Sequence, residues 1–184
     1  MIYHVSMDLS CITEVFKPRI PKQEQRMEGE NNYIPRICVA KSIEDCLTAM
    51  PNGGYAFENS DKPNIIRVYE FEPNRIKKEN LISPADLYFS EWVLDAWVTG
   101  EYWVVRQDLI PFRIYDVQII SLKVFDAPFV KPHDFKQAYK KKKNPEDILD
   151  ELERNTKESV ARITDLKYRH LKEYQIPVGN KFYI

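Results

Sequence analysis

Three short segments of the sequence carry side chains able to do chemistry. Tyr3-His4-Val5-Ser6 sets an imidazole and a hydroxyl two positions apart. On a strand, where side chains alternate, both project from one face. Cys38-Val39-Ala40-Lys41-Ser42 ends an apolar run at a small residue and turns into a segment that starts like a helix. A helix start offers free N–H groups and a partial positive charge. Gly100-Glu101-Tyr102-Trp103-Val104-Val105 opens a strand on a carboxylate, beside a residue with no side chain to block access. Each of these residues also has a plainer use. Ser42 suits a helix cap, His4 a satisfied strand position and Glu101 an exposed turn, while Glu91 in Phe89-Ser90-Glu91-Trp92 competes as the acid.

The elements that must hold these groups can be read along the chain. Ile2 to Ser6 alternates with period two and reads as a strand. Phe16 to Tyr33 has no apolar period and reads as a long surface loop; Arg19, Lys22 and Arg26 lie in it. Ile34 to Ala40 gives a second strand, at an edge or beginning after Pro35. Ser42 with Asp45 three residues later resembles a capping box, and Ile43, Cys46, Leu47 and Met50 fall on one helical face that ends at Pro51-Asn52-Gly53-Gly54. Ile65 to Phe71, Glu101 to Arg106 and Phe112 to Phe125 are further strands, and Pro84 to Trp97 is helix or irregular.

At the C-terminal end Asn144 can cap, Pro145 suits the first helical position, and Glu146 and Asp147 complement the helix dipole. Ile148, Leu149, Leu152, Val160, Ile163, Leu166, Leu171 and Tyr174 then predict one long amphipathic helix up to Pro177. The fold class is therefore α+β, with mostly antiparallel strands first and a long helix last. Residues 1–130 form the α+β domain and 131–184 a helical extension that packs on it or on a partner, for which a homodimer through the helix is the natural candidate.

Composition narrows the function classes. The 27 basic and 28 acidic side chains give a net charge of -1, so no global field attracts nucleic acid or an anionic membrane. The run Lys140 to Lys143 reads first as a solvated linker and second as a phosphate-backbone contact. Mean hydropathy is -0.49, no apolar run approaches a spanning helix, and no secretion signal opens the chain, so the expected setting is the cytoplasm. Cys11, Cys38 and Cys46 are an odd set of reduced thiols, with no histidine at ligand spacing for zinc. Five glycines form neither a dinucleotide fingerprint nor a P-loop, and the G-x-S-x-G elbow of serine hydrolases is missing.

Read together, the three segments resemble the H-Y-E style signature of the ADP-ribosyltransferase superfamily, which includes poly-ADP-ribose polymerases and RNA 2'-phosphotransferases. Tyr3-His4-Val5-Ser6 is similar to the first motif, Val39-Ala40-Lys41-Ser42 to the second, and Glu101-Tyr102-Trp103-Val104-Val105 to the third. The order matches, with Glu101 falling 97 positions after His4. Val5 stands where the family has glycine, and Cys38 and Val39 where an aromatic is usual.

The resemblance implies a split antiparallel sheet with NAD in a cleft between its halves, and transfer of ADP-ribose to a protein or nucleic-acid acceptor. The transition state is oxocarbenium-like, so the carboxylate of Glu101 would stabilise positive charge on the ribose. His4 would hold the adenosine ribose, and Ser6 would orient the nicotinamide amide. Ala40 and Ser42 would shape the turn beneath the ligand, and Tyr102, Trp103 or Tyr55 would wall the ring. Arg36 would pair the pyrophosphate. A small member of a phage or mobile element fits the size. The other class of function is a non-catalytic interaction protein that keeps this scaffold.

Overall fold

In the computed structural model the chain is described at residues 1–26, 29–51, 53–58, 64–140 and 144–176. Seven strands among these residues make two antiparallel sheets. The larger is ordered β1 (Ile2–Ser6), β3 (Ile65–Phe71), β6 (Arg113–Pro128), β7 (Ser159–Tyr174). The smaller is ordered β2 (Ile37–Val39), β5 (Tyr102–Val104), β4 (Leu81–Ile82). The sheets meet where Tyr3 and Ala40 exchange backbone hydrogen bonds of 2.8 and 3.0 Å, which sets β1 beside β2. The α+β class and its antiparallel pairing are thus as the sequence predicts.

Around β1, β3 and the first half of β6 the larger sheet is packed on both faces, while the far ends of β6 and β7 are largely exposed. On one face Val5, Ile66, Val68 and Val117 pack with Ile43, Cys46 and Leu47 of α1 (Ile43–Thr48). On the other, Ile2, Tyr69, Phe71 and Ile114 meet Ile37, Val39 and Val104 of the smaller sheet. Burial of each such aliphatic side chain contributes about 1.5–3 kcal/mol, so both faces help hold the seam in register. The start of α1 follows from its sequence, because Ser42 Oγ accepts the Asp45 amide at 3.0 Å. Its side chains also secure β7: Thr48 Oγ1 accepts the Ile163 amide and Glu44 Oε1 the Leu166 amide.

The C-terminal reading needs correction. Asn144 caps and Pro145 opens helix α6 as expected, but α6 is Pro145–Asn155 and Thr156 leaves it in extended backbone. The remainder is β7, paired with β6 along its length. Val160, Ile163 and Leu166 satisfy a helical spacing, yet Leu166, Tyr168, His170 and Tyr174 also alternate with Asp165, Lys167, Arg169 and Glu173. Two periods compete in one segment, and the open edge of β6 decides for the strand by supplying hydrogen-bond partners all along it. The helix that suggested a homodimer ends at Asn155, and residues 159–174 share a sheet with β6 instead of continuing a helical extension. Lys141 to Lys143 and Pro177 onward lie outside the described residues.

Smaller elements fill the gaps. A four-residue helix, α2 (Tyr55–Glu58), precedes β3. Pro84 to Trp97 resolves into α3 (Pro84–Phe89), a turn at Glu91, and α4 (Ala96–Thr99). Helix α5 (Pro132–Tyr139) follows β6. Among the described residues no helix is long and apolar enough to cross a membrane.

Candidate functional site

The seam brings the three motif segments together, because β1 adjoins β2 and β2 pairs with β5. Cys38 lies at the centre, opposite Trp103 in the register. His4 Nδ1 meets the Cys38 carbonyl at 2.8 Å, while the Cys38 thiol lies close enough to the Glu101 carboxylate for each to shift the other's pKa. One residue therefore touches both principal candidates, one through its backbone and the other through its side chain.

A carbonyl only accepts, so Nδ1 carries the proton and Nε2 is left as the acceptor nitrogen. Among the described residues Nε2 has no hydrogen-bond partner. Burial, partly offset by the Cys38 carbonyl, lowers the His4 pKa, and the positive charge of Arg19 lowers it further. The neutral ring suits a ligand hydroxyl. Alternation on β1 puts Val5 in the opposite core, where it is 7% exposed. The branched side chain standing in for the family's glycine therefore points away from the His4 face.

Glu101 is set at the mouth of β5 by Gly100, whose φ of 69° closes α4 in the left-handed region. A Cβ on Gly100 would also sit 3.1 Å from the Asp45 carboxyl carbon, so the position has a structural reason to lack a side chain. Glu101 is 7% exposed, and its Oε1 accepts the Trp103 indole N–H at 2.9 Å. Burial is the main cause that pushes its pKa to about 7, and the negative charges of Glu30 and Asp95 add to it against the hydrogen bonds from Cys38 and Trp103. Burial and the Glu101 charge also push the Cys38 thiol well above its usual range, which makes it a proton donor to the acid and a poor nucleophile.

The other candidates are held by neighbours. Arg36 is 1% exposed, forms an ion pair with Glu30, donates to the Ile34 carbonyl at 3.0 Å and lies 3.9 Å above the Trp103 ring. It is an interior residue and does not face a ligand. Ser6 forms a local turn with Asp8, and Ser42 caps α1. Ala40 contributes the seam's backbone bonds, and Tyr102 is half-buried with the Lys41 ammonium 5.2 Å from its ring. Glu91, the competing acid, is exposed and paired with Lys136 at 2.7 Å. Tyr55 hydrogen-bonds Asp126 on β6.

The segment expected as a free loop is strapped across the His4 face. Phe16 exchanges backbone hydrogen bonds with Leu109, and Arg19 with Arg36. The Phe16 ring packs edge-on against His4 at 4.9 Å and against Tyr69 at 4.8 Å. Sequence reasoning missed this cover, since Val15 and Phe16 sit in a stretch with no apolar period; it also missed Glu30 and Asp95 as charges acting on Glu101. Among the described residues no group of histidine, cysteine and acidic side chains could hold a metal ion.

Comparison of the chain with models of protein families, with curated proteins and with solved structures finds no match.

Proposed function

We propose that the chain is an NAD-binding enzyme of the ADP-ribosyltransferase fold that moves ADP-ribose to a protein or nucleic-acid acceptor. The observation that supports it is that the segments bearing His4 and Glu101, 97 residues apart in sequence, flank β2 at the seam of two sheets, His4 at the Cys38 carbonyl and Glu101 beside the Cys38 thiol. In this reading the bond between ribose C1' and nicotinamide breaks, the electron pair leaves with nicotinamide, and the acceptor atom bonds to C1' and loses its proton. The ionised Glu101 carboxylate stabilises the positive ribose, and His4 Nε2 accepts a hydrogen bond from a ribose hydroxyl. Arg36 has no part in binding the pyrophosphate; the exposed Arg19, whose charge already acts on His4, is the cation at hand. The strap bearing Phe16 moves aside when NAD binds. A cytoplasmic setting would keep the three free thiols reduced.

The second reading, a non-catalytic interaction protein, is favoured by the same strap, because Phe16 already packs on the His4 ring. The test is a thermal-shift series with NAD at millimolar concentration, followed by nicotinamide release in Glu101→Gln. Saturable stabilisation by NAD, retained in the variant with nicotinamide release lost, supports the enzyme. No stabilisation supports the interaction protein, and unchanged release in the variant removes Glu101 from the chemistry.

A further inference from the structure

α3, α4, α5 and α6 line a half-open pocket of about 160 Å³. That is close to the roughly 150 Å³ of an apolar cavity that takes benzene. Its wall is aromatic, with Tyr88, Phe89, Trp97, Phe129 and Phe135. Asp95 also lines it and is only 2% exposed. Asp95 occupies the N-cap position of α4 yet makes no side-chain cap hydrogen bond, so its carboxylate is not engaged with the helix amides. The Tyr88 hydroxyl, by contrast, is satisfied by the Val130 carbonyl at 2.7 Å. The one other charged lining residue is the acid Glu153, and among the described lining residues there is no lysine, arginine or histidine. Lys136, beside the adjoining groove, is paired with Glu91.

A buried carboxylate in an apolar chamber is costly unless a cation meets it, and aromatic faces attract the same cation. We infer that this cavity binds a small organic cation with an apolar body, its ammonium group facing Asp95 and its body against the aromatic wall. Burial, joined by the negative charge of Glu30 and opposed by a hydrogen bond from its own backbone amide, raises the Asp95 pKa to about 6. The inference does not rest on NAD binding, although the Asp95 charge also acts on Glu101.

Calorimetric titration of the whole chain with benzylammonium and with benzyl alcohol tests it. The expected result is saturable binding of benzylammonium at least tenfold tighter than benzyl alcohol. Asp95→Asn should erase that preference while leaving the alcohol's affinity unchanged, and Leu149→Trp, which fills the chamber from α6, should weaken both. Equal affinity for the two probes overturns the inference and leaves a merely apolar cavity, as does benzylammonium binding that Asp95→Asn does not alter. No saturable binding of either probe at millimolar concentration overturns it too. If Asp95→Asn fails to fold, the preference between the probes in the unaltered chain decides the matter by itself.

Discussion

Two buried guanidinium groups, one in the larger sheet and one beside the smaller, show how differently the same pair of charges can be used. Arg67 on β3 meets Asp116 with two hydrogen bonds, 2.8 and 3.1 Å, and donates to Tyr174 and to the carbonyls of Leu9 and Cys11. Every polar end is matched, and the Asp116 carboxyl lies below its ordinary value because the bonds from Arg67 and Tyr174 outweigh its burial. Arg36 beside β2 has one acid, Glu30, and a buried Nε without a hydrogen-bond partner. Glu30 also acts on Glu101 and Asp95, two further buried acids held well above the ordinary carboxylate range. The first centre is closed and structural; it pins the strap that covers His4. The second carries surplus acid next to a leftover donor, the condition in which a carboxylate can change its charge.

The largest effect should come from breaking the closed centre. Arg67→Ala leaves Asp116 as an unpaired buried charge and frees the strap at Leu9 and Cys11, so chemical denaturation should register a loss of about 3–5 kcal/mol. A loss well under about 1 kcal/mol would mean that the two centres do not differ as described.

The open centre should show itself through pH. The folded value of Glu101 is about 7 against an ordinary 4.5, so the folded chain binds more protons than the unfolded chain between them. Stability from this group is fully present below 4.5 and is lost as pH rises towards 7, by roughly 2–3 kcal/mol. Glu101→Gln keeps an oxygen for the Trp103 indole and should flatten that slope. Asp116 has the opposite sign: its stabilisation is present above its ordinary value and fades as pH falls. Denaturation curves of both proteins across this range check the pair. If the seam is catalytic, nicotinamide release should rise with pH through about 7, as Glu101 ionises.

Phe16→Ala tests the link between the centres. Removing a half-buried ring should cost roughly 2 kcal/mol. It should also raise the His4 pKa, because burial is the main cause that lowers it. Imidazole titration by NMR reads this directly. The smallest effect serves as a control: Ser42→Ala removes a helix cap outside both centres and should cost about 1 kcal/mol, with no change in pH slope.

What the sequence disclosed was local. β1, β3 and the starts of α1 and α6 were legible because alternation, a serine cap and an Asn-Pro pair act within a few residues. The C-terminal strand was not, because residues 159–174 carry two periods and only the edge of β6 chooses between them. The adjacency of the β1, β2 and β5 segments could be expected from motif order alone. Their shared contact with Cys38 depends on strand register, which no single segment encodes. The misplacement of Arg36 has the same origin: it sits before a strand, where either face is open to it, and Glu30 and Trp103 draw it inward.

The proposed function requires a ligand site at the seam that includes both His4 and Glu101. With three histidines in the chain, imidazole NMR during an NAD titration tests this most directly. The expected result is a saturable shift of the His4 ring signals, with His133 and His170 unmoved. Unchanged His4 signals at millimolar NAD would contradict the site and leave the seam as packing alone.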